Sequence, residues 1–124
     1  MEQRRLVTVI DDDVSVRDSL PGLLKVLGFV SRTFASAEEF LASNCIAITH
    51  CMILDINLPG MSGPDLQREM VGRGYAIPTI FITAQSPDSI PPSLLEQGAV
   101  ECLYKPFSKE SLRAALAAAL PRMI

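Results

Sequence analysis

Five short apolar runs alternate along the chain with segments of helical spacing, and this alternation limits the folds that the chain can adopt. The runs cover residues 6–10, 30–34, 51–54, 79–82 and 100–103. Each is short and mostly apolar rather than alternating, which is typical of strands buried on both faces. Repeated strand–helix units predict an α/β fold in which helices cover both faces of a parallel sheet.

The segments between the runs carry signals for where helices begin and bend. Ser36 and Ser108 stand directly before helical patterns, where N-cap residues are expected. Pro21 falls inside the first helical pattern and predicts a kink there, because proline lacks the amide hydrogen that an inner turn needs. The proline-rich segment 85–92 predicts that the fourth helix begins late, near Pro91, and is short.

Length and composition exclude several classes of protein. The 124 residues fit a single domain, which we expect to span 1–124. The net charge of −3 comes with no basic patch, so binding of nucleic acid by this chain is not expected. No apolar stretch approaches the roughly 20 residues of a membrane span. Three cysteines without a CxxC pair predict reduced core thiols and a cytoplasmic protein.

Acidic residues close two of the apolar runs. Asp11, Asp12 and Asp13 follow the first run, and Asp55 follows the third. Because ligands of open parallel sheets bind at the carboxyl ends of the strands, these acids should share one site. Adjacent carboxylates repel one another and need a cation or open solvent, and Mg²⁺ prefers such oxygen ligands. Asp13 is better explained as the N-cap of the first helix.

A hydroxyl and a lysine follow the fourth and fifth apolar runs. Thr83 follows the fourth run and Lys105 follows the fifth, so both should reach the edge that carries the acids. Lysine and hydroxyl groups complement the oxygens of a phosphoryl group. A carboxylate, a cation, a lysine and a hydroxyl together indicate phosphoryl transfer onto an aspartate.

Four motifs follow one another along the chain: Ile-Asp-Asp-Asp at 10–13, Met-Ile-Leu-Asp-Ile-Asn-Leu-Pro-Gly-Met-Ser-Gly at 52–63, Ile-Phe-Ile-Thr-Ala at 80–84 and Gly-Ala-Val-Glu-Cys-Leu-Tyr-Lys-Pro-Phe at 98–107. In this order and spacing they resemble the CheY-like receiver domains of two-component response regulators over nearly the whole chain. The second and fourth motifs are most similar to those of the FixJ-type subfamily, whose full-length members usually carry a helix-turn-helix output domain.

The resemblance implies a flavodoxin-like (βα)5 sandwich whose five parallel strands follow the order 2-1-3-4-5. It implies that Asp55 is the phosphoacceptor and that Asp12 binds Mg²⁺ directly, with Asp11 acting largely through metal-bound water. The backbone carbonyl of Asn57 would complete the protein ligands of the metal.

The resemblance also implies how the site signals. Lys105 would pair with a phosphoryl oxygen, Thr83 would hydrogen-bond another, and the Lys105–Pro106 peptide would be cis. The chain would be a signalling phosphoacceptor rather than an enzyme, serving a sensor histidine kinase and an output domain or downstream protein. It would be the N-terminal domain of a transcriptional regulator that responds through the face made by its fourth helix and fifth strand. By analogy with the subfamily, phosphorylation would drive homodimer formation through the same face.

One position departs from the family pattern. The family usually has a ring three residues before the lysine, and this ring rotates inward on activation, whereas this chain has Cys102. A thiol buries far less surface than a ring. Strand alternation places Tyr104 on the opposite side of the strand, where it is a poor substitute. The expected output therefore relies on Thr83 moving the loop before the fourth helix.

Three other readings of the same residues stay open. A haloacid-dehalogenase-type hydrolase also uses a strand-end aspartate and Mg²⁺. Such enzymes have a second aspartate two residues after the nucleophile, where this chain has Asn57. A flavodoxin-like FMN binder needs a Ser/Thr/Gly-rich loop after the first strand, which is not present. A pseudo-receiver that works without phosphorylation typically lacks some of the residues found here.

Overall fold

Five parallel strands form one sheet in the order β2-β1-β3-β4-β5, as the resemblance implied. The computed structural model describes residues 4–96 and 98–120. The strands are β1 (Leu6–Ile10), β2 (Val30–Phe34), β3 (Cys51–Asp55), β4 (Thr79–Thr83) and β5 (Ala99–Tyr104). The last three are slightly longer than predicted, so Asp55 and Thr83 are themselves the final residues of their strands.

Helices follow each of the five strands in this part of the chain. They are α1 (Val14–Val26), α2 (Ala37–Ala42), α3 (Gly63–Gly72), α4 (Ser93–Glu96) and α5 (Lys109–Ala119). The predicted caps are confirmed: Ser36 Oγ accepts the amide hydrogen of Glu39, and Ser108 Oγ accepts that of Ser111. The short α4 begins just after Pro91, as predicted. α1 continues through Pro21, where a kink stays a prediction.

Apolar side chains form a separate core on each face of the sheet. The first core contains residues of α1 and α5, and Leu24, Ile53 and Leu112 in it are fully buried. The second contains residues of α2, α3 and α4, and Phe40 and Phe81 in it are fully buried. With both faces covered, the exposed ends of the strands are where a polar site can lie.

The prediction that all five strands are buried on both faces is wrong for β2 and for β5, where Glu101 is exposed. β2 is an edge strand with β1 as its one neighbour in the sheet, and Val30 is 43% exposed. The polar centre of this run, Ser31-Arg32-Thr33, is consistent with that position, because edge strands carry polar and charged side chains.

The three cysteines are free thiols in positions that suit core packing. Cys45 and Cys51 are buried and Cys102 is half-buried. Burial raises the pKa of the Cys51 thiol to about 12, which keeps it protonated at neutral pH. This agrees with the prediction of reduced thiols.

Candidate functional site

Three carboxylates converge at the carboxyl edge of the sheet. Asp11 and Asp12 follow β1 directly, and Asp55 ends the neighbouring strand β3. One carboxylate oxygen from each lies within 4.8 Å of the others. Asp11 is fully buried, Asp55 is 5% exposed, and Asp12 is exposed. The structure therefore brings together the three acids that the sequence predicted for one site.

The amino group of Lys105 lies over two of these carboxylates. Its Nζ is 2.8 Å from Asp11 Oδ2 and 3.6 Å from Asp55 Oδ2. Partial burial alone would lower the pKa of Lys105, but the two carboxylates outweigh this effect and raise the pKa. The lysine therefore stays charged, and its backbone N–H donates to Thr83 O at 2.8 Å. The Lys105–Pro106 peptide is cis, as predicted.

The carboxyl group of Asp55 ionises less readily than that of an ordinary aspartate in the absence of a metal. Burial raises its pKa to about 6; the adjacent Asp11 carboxylate also raises it, while the Asn57 N–H and Lys105 act in the opposite direction. The Asn57 N–H donates to Asp55 Oδ1 at 3.1 Å. A divalent cation among these acids would favour the ionised form, which is the form that can act as a nucleophile.

The donor set fits a hard divalent cation. Asp11 Oδ2 is buried and lies at ion-pair distance from Lys105 Nζ, but none of residues 4–96 and 98–120 donates a hydrogen bond of good geometry to it. Carboxylate oxygens within 4.8 Å of one another can share an ion that takes oxygen ligands at about 2.1 Å. Asp11, Asp12 and Asp55 are therefore chemically suited to Mg²⁺.

The loop after β1 is fixed by hydrogen bonds to its own acids. Asp11 Oδ1 accepts the Asp13 N–H at 2.9 Å, and Asp13 Oδ1 accepts the Ser15 N–H at 2.9 Å. Asp13 is thus the N-cap of α1, as predicted. Arg17 donates from its guanidinium to Asp11 O at 2.8 Å, a contact that sequence reasoning missed because no local pattern links positions six apart.

Thr83 is the last residue of β4, the strand that pairs with β3. Its side chain is fully buried, and its Oγ1 accepts the N–H of Gln85 at 3.0 Å. Accepting this bond leaves the Thr83 hydroxyl free to donate its own hydrogen to another oxygen. Thr83 therefore holds the start of the loop that precedes α4 and the backbone of Lys105.

The prediction that Tyr104 lies away from Cys102 is wrong. The two residues are two positions apart on β5, and side chains two apart share a face of a strand. Desolvation raises the pKa of the Tyr104 hydroxyl, and the neighbouring Cys102 thiol raises it further. Cys102 itself packs against the core that includes Phe81 and Leu94. Cys102 and Tyr104 therefore share the face of β5 on which the family usually has a ring.

The arrangement of acids, lysine and hydroxyl on a 2-1-3-4-5 sheet has a counterpart in a known family. A family model described as response regulator receiver domain matches residues 7–117 of the chain. The chain belongs to the response regulator receiver domain family. It is therefore a signalling domain of the two-component type, and the resemblance to the FixJ-type subfamily is confirmed.

Receiver domains of transcriptional regulators are among its relatives. Nodulation protein W of Bradyrhizobium diazoefficiens is 39% identical over 119 residues, covering 96% of this chain and 52% of that protein. Transcriptional regulatory protein TdiR of Thauera aromatica is 39% identical over 115 residues, covering 92% of this chain and 50% of that one. The crystal structure of FixJ-N matches with a TM-score of 0.84 at 30% identity, covering 99% of this chain and 98% of that one.

The chain spans about half the length of the curated relatives that it matches. Within residues 4–96 and 98–120, none of the helices has the length and apolar character needed to cross a bilayer.

Proposed function

We propose that this receiver domain accepts a phosphoryl group on Asp55 from a phosphohistidine of a sensor kinase, in a Mg²⁺-dependent reaction. The observation that carries the proposal is the convergence of Asp55 with Asp11, Asp12 and Lys105 at the end of the sheet. In such a site a carboxylate can be both ionised and shielded from its negative neighbours.

Asp55 is proposed as the nucleophile because it is the one acid of the three that ends the central strand β3, where Lys105 is also within reach. A carboxylate oxygen of Asp55 forms the new bond to phosphorus, and the bond from phosphorus to the histidine nitrogen of the donor breaks. Lys105, 3.6 Å from Asp55 Oδ2, offsets the charge on the phosphoryl oxygens. The phosphoryl group adds roughly −1.5 to −2 charge, so this neutralisation is needed.

Asp11, Asp12, Asp55 and the carbonyl of Asn57 are the groups proposed to hold Mg²⁺. When bound, Mg²⁺ supplies positive charge that keeps Asp55 ionised and neutralises the transferred group. The burial of Asp11 and the exposure of Asp12 agree with an inner acid that orients the site and an outer acid that ligates directly.

Thr83 is proposed to convert phosphorylation into movement of the loop at 85–92. A hydrogen bond from its hydroxyl to a phosphoryl oxygen would draw Thr83 toward Asp55. Because Thr83 Oγ1 holds the Gln85 N–H, the start of the loop would move with it. The α4–β5 face would then signal to an output domain or downstream protein. In this proposal residues 1–124 form one receiver domain. It acts in signalling and forms a homodimer when it is phosphorylated.

Gel filtration and amide NMR in Mg²⁺, with and without beryllofluoride, test the proposal. Amide shifts at Asp12, Asp55 and Thr83 that require both Mg²⁺ and beryllofluoride support the switch, and an earlier elution volume supports the dimer. Amide shifts without a change in elution would overturn the dimer alone. Amides that do not respond would overturn the proposed site.

A further inference from the structure

The loop that carries Asn57 is joined to a different part of the molecule by one side chain. Its two ends are tied to each other, since the Gly63 N–H donates to Ile56 O at 3.1 Å. Residues 57–62 also hydrogen-bond to the two elements that adjoin the loop, β3 and α3. Beyond these, among the described residues, the loop makes one hydrogen bond to a further helix or strand. This bond runs from the Met61 N–H to Glu38 Oε2, at 2.8 Å, and spans 23 positions of sequence.

The fit between the loop and Glu38 is close. Gly60 has a φ of +74°, and a Cβ built there would lie 2.7 Å from Glu38 Oε2. A side chain at position 60 would therefore meet the carboxylate. The Met61 N–H lowers the pKa of Glu38, so the side chain is an ionised acceptor at neutral pH. The carboxylate thus binds the loop backbone at Met61 and leaves no room for a side chain at the preceding residue.

Glu38 is held in place by a helix start that does not depend on this contact. It lies in the first turn of α2, where Ser36 caps the helix by accepting the Glu39 N–H at 3.1 Å. The carboxylate of Glu39, in contrast, accepts the N–H of Ala35, just before the helix, at 3.1 Å. Two adjacent glutamates of one helix therefore have separate backbone partners, and one of these partners is in the loop that follows Asp55.

We propose that Glu38 is a positioning residue for the metal site, which holds the loop at 57–62 so that the Asn57 carbonyl faces the three acids. This inference rests on the proposed function, since it concerns the Mg²⁺ site assigned there. Glu38 does not ligate the metal. Its effect reaches the site through the Met61 backbone and the three residues that separate Met61 from Asn57. Residues that orient metal ligands in this way commonly change metal affinity when they are replaced.

Mg²⁺ titrations followed by amide NMR of Asn57 and Asp55 test the proposal. We expect Glu38→Ala to raise the Mg²⁺ dissociation constant roughly tenfold, the lower end of the range for residues that orient ligands. Glu38→Gln keeps an acceptor oxygen for the Met61 N–H and should stay within about threefold of the wild type. Glu39→Ala is the matched control, because it removes a cap contact of the same helix and should leave Mg²⁺ binding unchanged.

A second readout separates positioning from a general loss of structure. At saturating Mg²⁺ the rate of Asp55 phosphorylation in Glu38→Ala should return to the wild-type rate, whereas a damaged fold would stay slow at any Mg²⁺ concentration. Equal Mg²⁺ dissociation constants in the wild type and Glu38→Ala would overturn the role of Glu38 alone. A wild-type chain that binds no Mg²⁺ would instead overturn the proposed function.

Discussion

Lys105 Nζ lies 2.8 Å from Asp11 Oδ2, which is closer than its 3.6 Å approach to Asp55 Oδ2. The lysine therefore rests against the buried acid on the metal side of the site rather than against the proposed phosphoacceptor. This ammonium group should later contact the phosphoryl oxygens. Before phosphorylation it is a positive charge next to the proposed Mg²⁺ site.

Replacing Lys105 with alanine should strengthen Mg²⁺ binding. Removing a positive charge a few ångströms from the acids should lower the Mg²⁺ dissociation constant by roughly 3- to 10-fold, because like charges disfavour binding in a partly buried site. NMR titration of the Asp12 amide measures this constant. Lys109→Ala, an exposed cation at the start of α5, is the control. Weaker Mg²⁺ binding in Lys105→Ala would show that the lysine organises the acids instead of competing with the cation.

Asp55→Asn should remove a pH-dependent loss of stability in metal-free protein. The pKa of Asp55 is raised from 3.8 to about 6. Between these values the folded state binds more protons than the unfolded state, so the free energy of unfolding falls as pH rises through this window. The wild type should lose about 1–3 kcal/mol more than Asp55→Asn between about pH 4 and about pH 7.

Urea unfolding in EDTA at the two pH values measures this difference. Asp18→Asn, which removes an exposed acid of α1, should follow the wild type. If the stability of Asp55→Asn changes with pH as much as that of the wild type, Asp55 is not the acid whose pKa is raised in the folded state.

Much of the site could be predicted because strand ends and turn chemistry are local signals. Asp11, Asp55 and Thr83 were found where apolar runs stop, and Asp13 was correctly assigned as a cap. The exposed position of β2 was missed because its apolar ends outweighed its polar centre. Arg17 and Glu38 were missed because their backbone partners lie 6 and 23 positions away, and no sequence period connects such pairs.

Gly63→Ala should damage the site as well as the fold. A Cβ at this position would lie 2.3 Å from the backbone oxygen of Asp55, which cannot move without disturbing the end of β3. We expect a loss of about 2–4 kcal/mol in the free energy of unfolding and weaker Mg²⁺ binding. Gly72→Ala, in the last turn of the same helix, meets nothing within 4 Å and should be neutral or slightly stabilising. Denaturant unfolding of both variants makes the comparison, and equal stabilities would contradict the close packing of Gly63 on Asp55.

Thr83→Val should release the start of the loop before α4. The substitution keeps the shape of the side chain but removes the acceptor of the Gln85 N–H. Amide exchange at Gln85 should accelerate roughly 3- to 10-fold, as expected for the loss of a hydrogen bond of about 1 kcal/mol. Thr79→Val, at the other end of β4, removes a hydroxyl that donates to Ile77 O and serves as the control.

The same variant tests how the signal leaves the site. With Mg²⁺ and beryllofluoride, the Gln85 amide of the wild type should change its shift, while that of Thr83→Val should not. If the Gln85 amide responds equally in both proteins, Thr83 does not carry the response from the site to the loop before α4. Tyr104 and Cys102 would then be the next residues to test.

The most direct test of phosphorylation at Asp55 is intact-mass measurement, with peptide mapping, after incubation with acetyl phosphate. In Mg²⁺ the wild type should gain a single phosphoryl group that maps to Asp55, while samples in EDTA and the Asp55→Asn variant should gain none. Label retained by Asp55→Asn, or equal labelling with and without Mg²⁺, would contradict the assignment of Asp55 as the phosphoacceptor in a metal-dependent site.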